Sequence, residues 1–419
     1  MTRPTYVTIG AGQTAAVAAR NLRRRGFDGR IVLVGDEPYV PYQRPPLSKE
    51  FLAGTETEDG LWILPQSWIA DNDVEILTGA AVTRVDTATR TVELDGQAAL
   101  RADAVLFATG GSPRTLPVPG PRPELVHYLR TLDDSRRLAT QLAPGRRLAI
   151  IGAGFIGLEI ASTAQACGVS VTVFEAGAVP LAPVLGPEMG AVMTQLHRDH
   201  GVDVRTSVSV TAVRTTDTGV QIDLSGGGTF EADAVVIGIG ITPNVAVAAA
   251  SGLAVEDGIV VDAVGRTSVP GVFAAGDVAR RFSARAGRHV RVEHFDNASR
   301  QGVAVASAML GRDAPSDDPH WFWSDQYGLN TQFVGTAAGR PVIRGDLAAL
   351  DFTGFYFEGP VLCGAFSVER GEDISAAREM LGRTVDPRAL CDEDTDLWDL
   401  VYEDADEHAD EDAEAQVRA

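Results

Sequence analysis

Gly10-Ala11-Gly12-Gln13-Thr14-Ala15 and Gly152-Ala153-Gly154-Phe155-Ile156-Gly157 decide how this 419-residue chain folds, because each hexapeptide directly follows an apolar run of strand character. Those runs are Tyr6-Val7-Thr8-Ile9 and Leu148-Ala149-Ile150-Ile151, and an alanine-rich stretch of helical character follows each hexapeptide. Small residues at these spacings let a strand turn tightly into a helix, let backbone N–H groups approach a pyrophosphate, and let the helix sit close to the strand. One such motif is weak evidence. Two, each between a strand and a helix, predict two dinucleotide sites on one chain.

The end of each second strand says what the sites hold. Ile31-Val32-Leu33-Val34-Gly35 closes on Asp36-Glu37, and Val171-Thr172-Val173-Phe174 closes on Glu175. An acid at this place accepts hydrogen bonds from ribose hydroxyls and repels a 2′-phosphate, so the second site reads as one for NAD(H). The competing reading is that Glu37 and Glu175 merely end strands at the surface.

Composition narrows the function classes. The chain is 45% hydrophobic and long enough for two or three domains, and no uncharged apolar run reaches the roughly 18 residues of a membrane helix. Met1-Thr2-Arg3-Pro4 leads straight into the first strand, without the apolar segment of a signal peptide, so a cytoplasmic protein is expected. Three scattered cysteines, Cys167, Cys363 and Cys391, suit a reducing compartment. None precedes Cys167, which excludes a dithiol pair near the first site, and Cys167 itself reads as a small buried hydrophobe. His197 and His200 could share a helix face, but no third ligand lies near them; they read as solvent-exposed, and no metal is expected. The net charge of −21 argues against nucleic acid. From Asp392 onward, 13 acids face one base, which accounts for −12 of that charge and predicts a solvated, disordered tail at 401–419.

Along the chain, Arg23-Arg24-Arg25 before Gly26 reads as a solvated helix end. Pro41 to Lys49 is proline-rich, with Ser48 able to cap a helix. Val74 to Leu94 reads as antiparallel strands with a turn at Asp95-Gly96. Five prolines between Ser112 and Pro123 mark a crossover between domains. Asp233-Ala234-Val235-Val236-Ile237-Gly238-Ile239-Gly240 echoes Asp103-Ala104-Val105-Leu106-Phe107-Ala108-Thr109-Gly110, so the second unit is an internal duplication inserted within the first domain.

With Arg44-Pro45-Pro46-Leu47-Ser48-Lys49, Ala108-Thr109-Gly110, Phe155-Ile156-Gly157-Leu158-Glu159, Ala275-Gly276-Asp277-Val278, Glu293 with Asn297-Ala298, and Phe322-Trp323-Ser324-Asp325-Gln326, the chain resembles a known family from Tyr6 to about Leu400. The family is that of the FAD-dependent NADH:ferredoxin reductases of bacterial oxygenase systems, the putidaredoxin reductase and rhodocoxin reductase group. The resemblance implies a glutathione-reductase-like α/β architecture of two Rossmann-like domains plus a C-terminal α+β domain. The FAD domain would be discontinuous at 1–113 and 243–313, the NAD domain inserted at 114–242, and the C-terminal domain, covering the flavin, at 314–400. It also implies electron flow from NADH through FAD to a [2Fe–2S] ferredoxin serving a cytochrome P450 or ring-hydroxylating oxygenase. A reductase of rubredoxin, quinone or another small acceptor is the alternative, as is a flavoprotein like apoptosis-inducing factor.

Cofactor-binding residues implied by the resemblance are Gly10, Gly12, Gln13, Thr14, Ala15, Glu37, Arg44, Lys49, Val82, Ala108, Thr109, Gly110, Gly152, Gly154, Phe155, Ile156, Gly157, Glu159, Glu175, Gly238, Ile239, Gly240, Gly276, Asp277, Val278, Glu293 and Trp323. Lys49 and Glu159 are the implied catalytic pair. Lys49 would stabilise negative charge at the flavin's reactive edge and Glu159 would orient nicotinamide, against the plainer readings of a surface lysine and an ordinary helix acid. Arg44 would brace its loop, Asp277 would accept from the ribityl chain, the Val278 N–H would donate to the flavin, and Trp323 would cover it, unless Trp323 is a core aromatic. Tyr327 to Gln332 and Val368-Glu369-Arg370-Gly371 depart from the usual pattern where a partner is recognised, which leaves the ferredoxin open. Arg280, Arg281, Arg285, Arg288 and Arg291, with no acid among them, suggest either a positive patch for an acidic ferredoxin or arginines paired with nearby acids; Arg370 and Arg378 are further docking candidates.

Overall fold

Apolar side chains at alternate positions of Thr5–Ile9 and Arg30–Val34 pack to both sides of one sheet: Val7, Ile9, Val32 and Val34 enter one core, Ile31 and Leu33 another. Strands buried on both faces pair in parallel and are covered by crossovers. In the computed structural model, which describes residues 3–315 and 317–402, this sheet has five parallel strands. Their order is Val272–Ala274, Ala104–Phe107, Thr5–Ile9, Arg30–Val34 and Val74–Leu77. Helices Gln13–Arg24 and Phe295–Met309 lie together on one face, where Ala15, Ala18, Ala19 and Leu22 meet Val305 and Ala306. A three-stranded antiparallel sheet, Val82–Asp86, Thr91–Leu94 and Leu100–Arg101, backs the other.

The second fingerprint builds the same plan. Asp203–Arg205, Ser170–Phe174, Arg147–Ile151, Ala234–Ile237 and Val126–His127 form a parallel sheet in that order, with a three-stranded antiparallel sheet over one face. The duplication extends to single hydrogen bonds. Asp103 accepts the Thr5 N–H at 2.7 Å and Asp233 accepts the Arg147 N–H at 2.8 Å, each acid tying its own strand to the fingerprint strand. A side chain on Gly10 (φ +106°) would lie 2.2 Å from the Ala108 carbonyl oxygen, and one on Gly152 (φ +100°) 2.3 Å from that of Gly238. Both turns therefore exclude every residue but glycine.

Trp321–Gln326, Leu329–Gly335, Val361–Val368, Asp351–Glu358 and Val342–Asp346 form an antiparallel sheet, in that order, against which helix Gly371–Met380 packs Ile374, Ala377 and Met380. The chain divides into two compact units: residues 1–114, 130–135 and 240–318, and residues 115–129, 136–239 and 319 onward. Residues 130–135, read from sequence with the second unit, cluster with the first. No helix among the described residues is long and apolar enough to cross a membrane.

Several sequence expectations change. Val74–Leu77 is a parallel edge strand of the first sheet, not part of the antiparallel set that begins at Val82. Ser48 ends a short 3-10 turn, Pro45–Ser48, and is not the cap of the next helix, which starts at Glu50 behind Lys49. Arg23 is not a solvated end, because its guanidinium donates to the carbonyls of Phe27, Gly29, Asn72 and Asp73. Cys167 is half-buried at the end of helix Phe155–Ala166. Residues 397–402 are helical and Val401 joins the core beside Leu397, so order continues past 400; the disorder expected of the tail falls on residues 403–419, outside the described ones.

Candidate active site

Both fingerprint helices open without a capping side chain and without an acid in the first turn, leaving their leading N–H groups to an external acceptor. The second glycine of each motif faces open space: a carbon added at Gly12 or Gly154 meets no atom within 4 Å. Gln13 lies at the mouth of the first helix with its amide donating to Ser299 Oγ at 2.8 Å, while its Oε1 is buried with no partner among the described residues. Room and positive helix ends fit a dinucleotide pyrophosphate at both sites, and at the first the orphaned Gln13 Oε1 is an acceptor suited to a hydroxyl of the dinucleotide.

Around the first site, Thr14 donates to the Ala298 carbonyl, Ala15 is fully buried in the helix contact, and Ala108 bonds back to Ile9 as Gly238 does to Ile151. Thr109 donates to the carbonyl of Asn244, whose amide returns a bond to the Thr109 carbonyl, which fixes the Ala108-Thr109-Gly110 turn. Glu37, at the strand end, receives Arg44 Nη2 at 2.6 Å and the Tyr42 hydroxyl at 2.5 Å. Arg44 also donates to that hydroxyl and to the Arg130 carbonyl. Burial pushes the Tyr42 phenol well above its ordinary value, so it stays a neutral donor. Gly79 and Ala80 bond to the carbonyls of Glu37 and Gly35, laying the approach to half-buried Val82 against this strand end. Lys49, 9% exposed, sits between the 3-10 turn and the next helix and reaches the Pro45 carbonyl at 3.3 Å.

Asp277, 9% exposed, holds Arg130 Nη2 at 2.9 Å; Gly276 donates to Gln301 Oε1, and Val278 is fully buried. Arg130 escaped the sequence reading although its neighbours carry a signal. Thr131 and Asp134 form a reciprocal capping box, with the Thr131 N–H donating to Asp134 at 2.8 Å and the Asp134 N–H to Thr131 Oγ1 at 3.2 Å. Glu293 is exposed and paired with Arg291, which also pairs with Asp257.

In the second site, Glu175 accepts the Ala153 N–H at 2.9 Å and the Gly177 N–H at 2.7 Å, so the strand-end acid is locked against the glycine turn with lone pairs left over. Phe155 stands edge-on to Phe322 at 4.7 Å, Ile156 is 48% exposed, Gly157 is buried in the helix, and half-buried Ile239 follows Gly238. Gly240 turns with φ +96° and belongs to the first unit. Glu159 is 3% exposed and accepts Ser324 Oγ at 2.6 Å. Trp323 shares the half-exposed face of its strand with Trp321, stacked at 5.4 Å.

The histidine expectation is overturned in one respect. His197 is fully buried, not solvent-exposed, and bonds to Gln326 and Tyr327. Among the described residues no group of three metal-ligating side chains exists. Gln326, at the end of the Phe322–Gln326 motif, and Thr331, in the departing segment, are also buried. The run of arginines resolves mostly into pairs: Arg280 with Glu256, buried Arg281 with Asp317, and Arg291 with Glu293 and Asp257. Arg370 is held by Asp351 and Glu393.

A family model described as pyridine nucleotide-disulphide oxidoreductase matches residues 4–302, and one described as reductase C-terminal matches residues 321–401. Rhodocoxin reductase of Rhodococcus erythropolis is 39% identical, over 98% of this chain and 97% of its own. The ferredoxin–NAD(+) reductase component of the anthranilate 1,2-dioxygenase system of Burkholderia cepacia is 38% identical, over 94% and 98%. The crystal structure of a covalent putidaredoxin reductase–putidaredoxin complex matches with a TM-score of 0.90 and 34% identity, over 96% of this chain and 99% of that one.

Proposed function

Since the chain belongs to the pyridine nucleotide-disulphide oxidoreductase family and carries its reductase C-terminal module, we propose that it passes electrons from NADH through FAD to a [2Fe–2S] ferredoxin of an oxygenase system. The observation that carries this is the pair of glycine turns, each opening an uncapped helix onto empty space on a chain whose three cysteines are scattered and free. Two dinucleotides without a dithiol leave the flavin's electrons to an external acceptor.

The first fingerprint, with Arg44, Lys49 and the Arg130–Asp277 pair, holds FAD; the second, with Glu175, holds NADH. Domain limits of 1–113 with 243–313, 114–242 and 314–400 are part of the proposal, except that residues 130–135 and 240–242 go with the first domain. Bound FAD supplies a hydride acceptor able to release electrons singly. The protein's part is to position and to stabilise charge. Lys49, largely shielded from water, offers a fixed cation where negative charge develops. Glu159, locked on its helix, orients nicotinamide. Glu175 favours the free ribose over its phosphate. A cytoplasmic location belongs to the proposal as well, supported by the three unbridged cysteines.

Anaerobic NADH should bleach the flavin, and cytochrome c reduction should then depend on an added [2Fe–2S] ferredoxin. Equal or faster turnover with rubredoxin or a quinone, and no dependence on ferredoxin, would overturn the assignment of the acceptor.

A further inference from the structure

Five side chains inside the second unit form one unbroken hydrogen-bonded line. Ser324 Oγ donates to Glu159 Oε1 at 2.6 Å, and Gln326 Nε2 donates to Ser324 Oγ at 2.9 Å. Gln326 Oε1 faces His197 Nε2 at 2.7 Å, and His197 Nδ1 faces the Tyr327 hydroxyl at 2.8 Å. Glu159, Ser324, Gln326 and His197 are each 3% exposed or less.

Chemistry fixes the direction of every bond. Ser324 gives its single proton to Glu159, and its oxygen takes one from the Gln326 amide. With that amide nitrogen committed, Gln326 Oε1 accepts, which requires the N–H of His197 on Nε2. Nδ1 of the neutral ring is then an acceptor, and the Tyr327 hydroxyl donates to it. All four donors thus point toward Glu159. Burial holds His197 neutral, its pKa lowered to about 4, in agreement with this tautomer.

The anchor at the far end is strained. Tyr327 takes φ +56° and Gly328 φ +79° in the two-residue turn between Trp321–Gln326 and Leu329–Gly335. A tyrosine in the left-handed region is unfavourable where asparagine or glycine is usual. Its contacts hold it there: the Tyr327 N–H donates to Ser162 Oγ at 2.8 Å, and the His200 ring stacks on the phenol at 3.8 Å. Ser162 lies on the same helix as Glu159, so turn and carboxylate are tied to one element twice.

We propose that Ser324, Gln326, His197 and Tyr327 are positioning residues for Glu159, a one-way relay that locks its carboxylate in the orientation that presents nicotinamide. This rests on the reading of Glu159 as the residue that orients the nicotinamide. A loosened carboxylate lowers the rate of hydride transfer more than it weakens NADH binding, because the binding surface is otherwise kept.

Stopped-flow reduction of the flavin by NADH in the full-length FAD-loaded enzyme tests both levels. Glu159→Gln is the control for the premise, and Ser324→Ala removes the donor nearest the carboxylate. Ser324→Ala is expected to slow the limiting rate by about tenfold with little change in apparent NADH affinity, the size of one charge-assisted hydrogen bond. Tyr327→Phe should act in the same direction and less. In the Glu159→Gln background, Ser324→Ala should add nothing. A slow Glu159→Gln beside unaltered Ser324→Ala and Tyr327→Phe overturns the relay, and so does additivity in the double variant, since packing damage adds. An unaltered Glu159→Gln overturns the premise instead.

Discussion

The Asp277 carboxylate and the Arg130 guanidinium meet at 2.9 Å with 11% and 25% of their side chains exposed. Two more residues of the first unit join them, because Arg44 donates to the Arg130 carbonyl while its other nitrogen holds Glu37. Glu37, Arg44, Arg130 and Asp277 therefore form one cage, and the acid proposed to hold the ribityl chain is already neutralised on one oxygen. Asp277 can accept from a hydroxyl with its remaining lone pairs without standing as an isolated buried charge.

Removing Arg130 should consequently resemble removing Asp277. Arg130→Ala leaves a buried carboxylate without its partner, a loss of about 3 kcal/mol for a well-buried pair and less for one exposed to this degree. The expected outcome is lower FAD retention on purification and a lower Tm. Asp277→Asn, which keeps the shape and removes the charge that Arg130 answers, should lose flavin less severely than Arg130→Ala. A fully flavinated, thermally unaltered Arg130→Ala variant would contradict the cage.

Glu175 gives the sharpest test of the second site. NADH should exceed NADPH clearly in kcat/KM, and Glu175→Arg should narrow the gap. The carboxylate also ties down Ala153 and Gly177, so Glu175→Arg should lose NADH affinity through a loosened glycine turn as well. Glu175→Gln, which retains an acceptor for one of those bonds, separates the effects: it should keep most NADH turnover while tolerating NADPH somewhat better. Equal use of both donors by the unmodified enzyme would refute the role.

Lys49→Met should leave FAD bound and slow its reduction by NADH, because a cation that answers developing charge acts on the rate more than on binding. The expected loss is roughly tenfold to a hundredfold, read by stopped-flow with the flavin content checked beforehand. An unaltered rate would remove Lys49 from the reactive edge.

How far these sites were legible in the sequence depends on whether a local pattern forces the structure. Gly10 and Gly152 announce themselves because their turns admit no side chain, and Asp103 and Asp233 repeat because each ties a strand to the fingerprint strand. Val74–Leu77 is not legible in the sequence, since a four-residue edge strand alternates like a hairpin strand and only its partner decides between them. The burial of His197 is legible only from its whole helix: Met189, Met193, Leu196 and His197 are all buried, and their spacing follows one helix face. Arg130 is hard to find because an arginine before a helix reads as surface; the Thr131–Asp134 box beside it fixes only the helix start.

The neutrality of His197 has a consequence for stability. Its pKa is lowered by burial from 6.5 to about 4, against the opposing bond to Gln326 and with help from His200. Between those values the unfolded chain binds a proton that the folded chain refuses. The stabilisation is therefore complete above about pH 6.5 and is lost as pH falls toward 4, amounting to roughly 3 kcal/mol over the whole window. His197→Gln should flatten this part of the pH dependence, read as the change in urea midpoint between neutral and mildly acidic buffer. A variant whose midpoint falls with acid as steeply as the parent would show that other groups govern it.

Electrostatic steering of a ferredoxin requires arginines that are exposed and unpaired. Arg281 cannot serve a docking face: it is 7% exposed, paired with Asp317, and its pKa is lowered by burial. Arg281→Glu would set two acids together in a buried place and should cost about 3 kcal/mol or more, lowering Tm whatever the partner. Arg285 and Arg288 are exposed and make no ion pair with the described residues, Arg285 within the turn that joins Ala279–Ser283 to Arg288–Val290 and Arg288 directly after it. Arg285→Glu with Arg288→Glu should slow ferredoxin-dependent cytochrome c reduction at low salt, flatten its dependence on ionic strength, and leave reduction of the flavin by NADH unaltered. An unaltered salt slope would place the docking face elsewhere, and a loss confined to Arg281 variants with a matching fall in Tm would identify the effect as folding rather than steering.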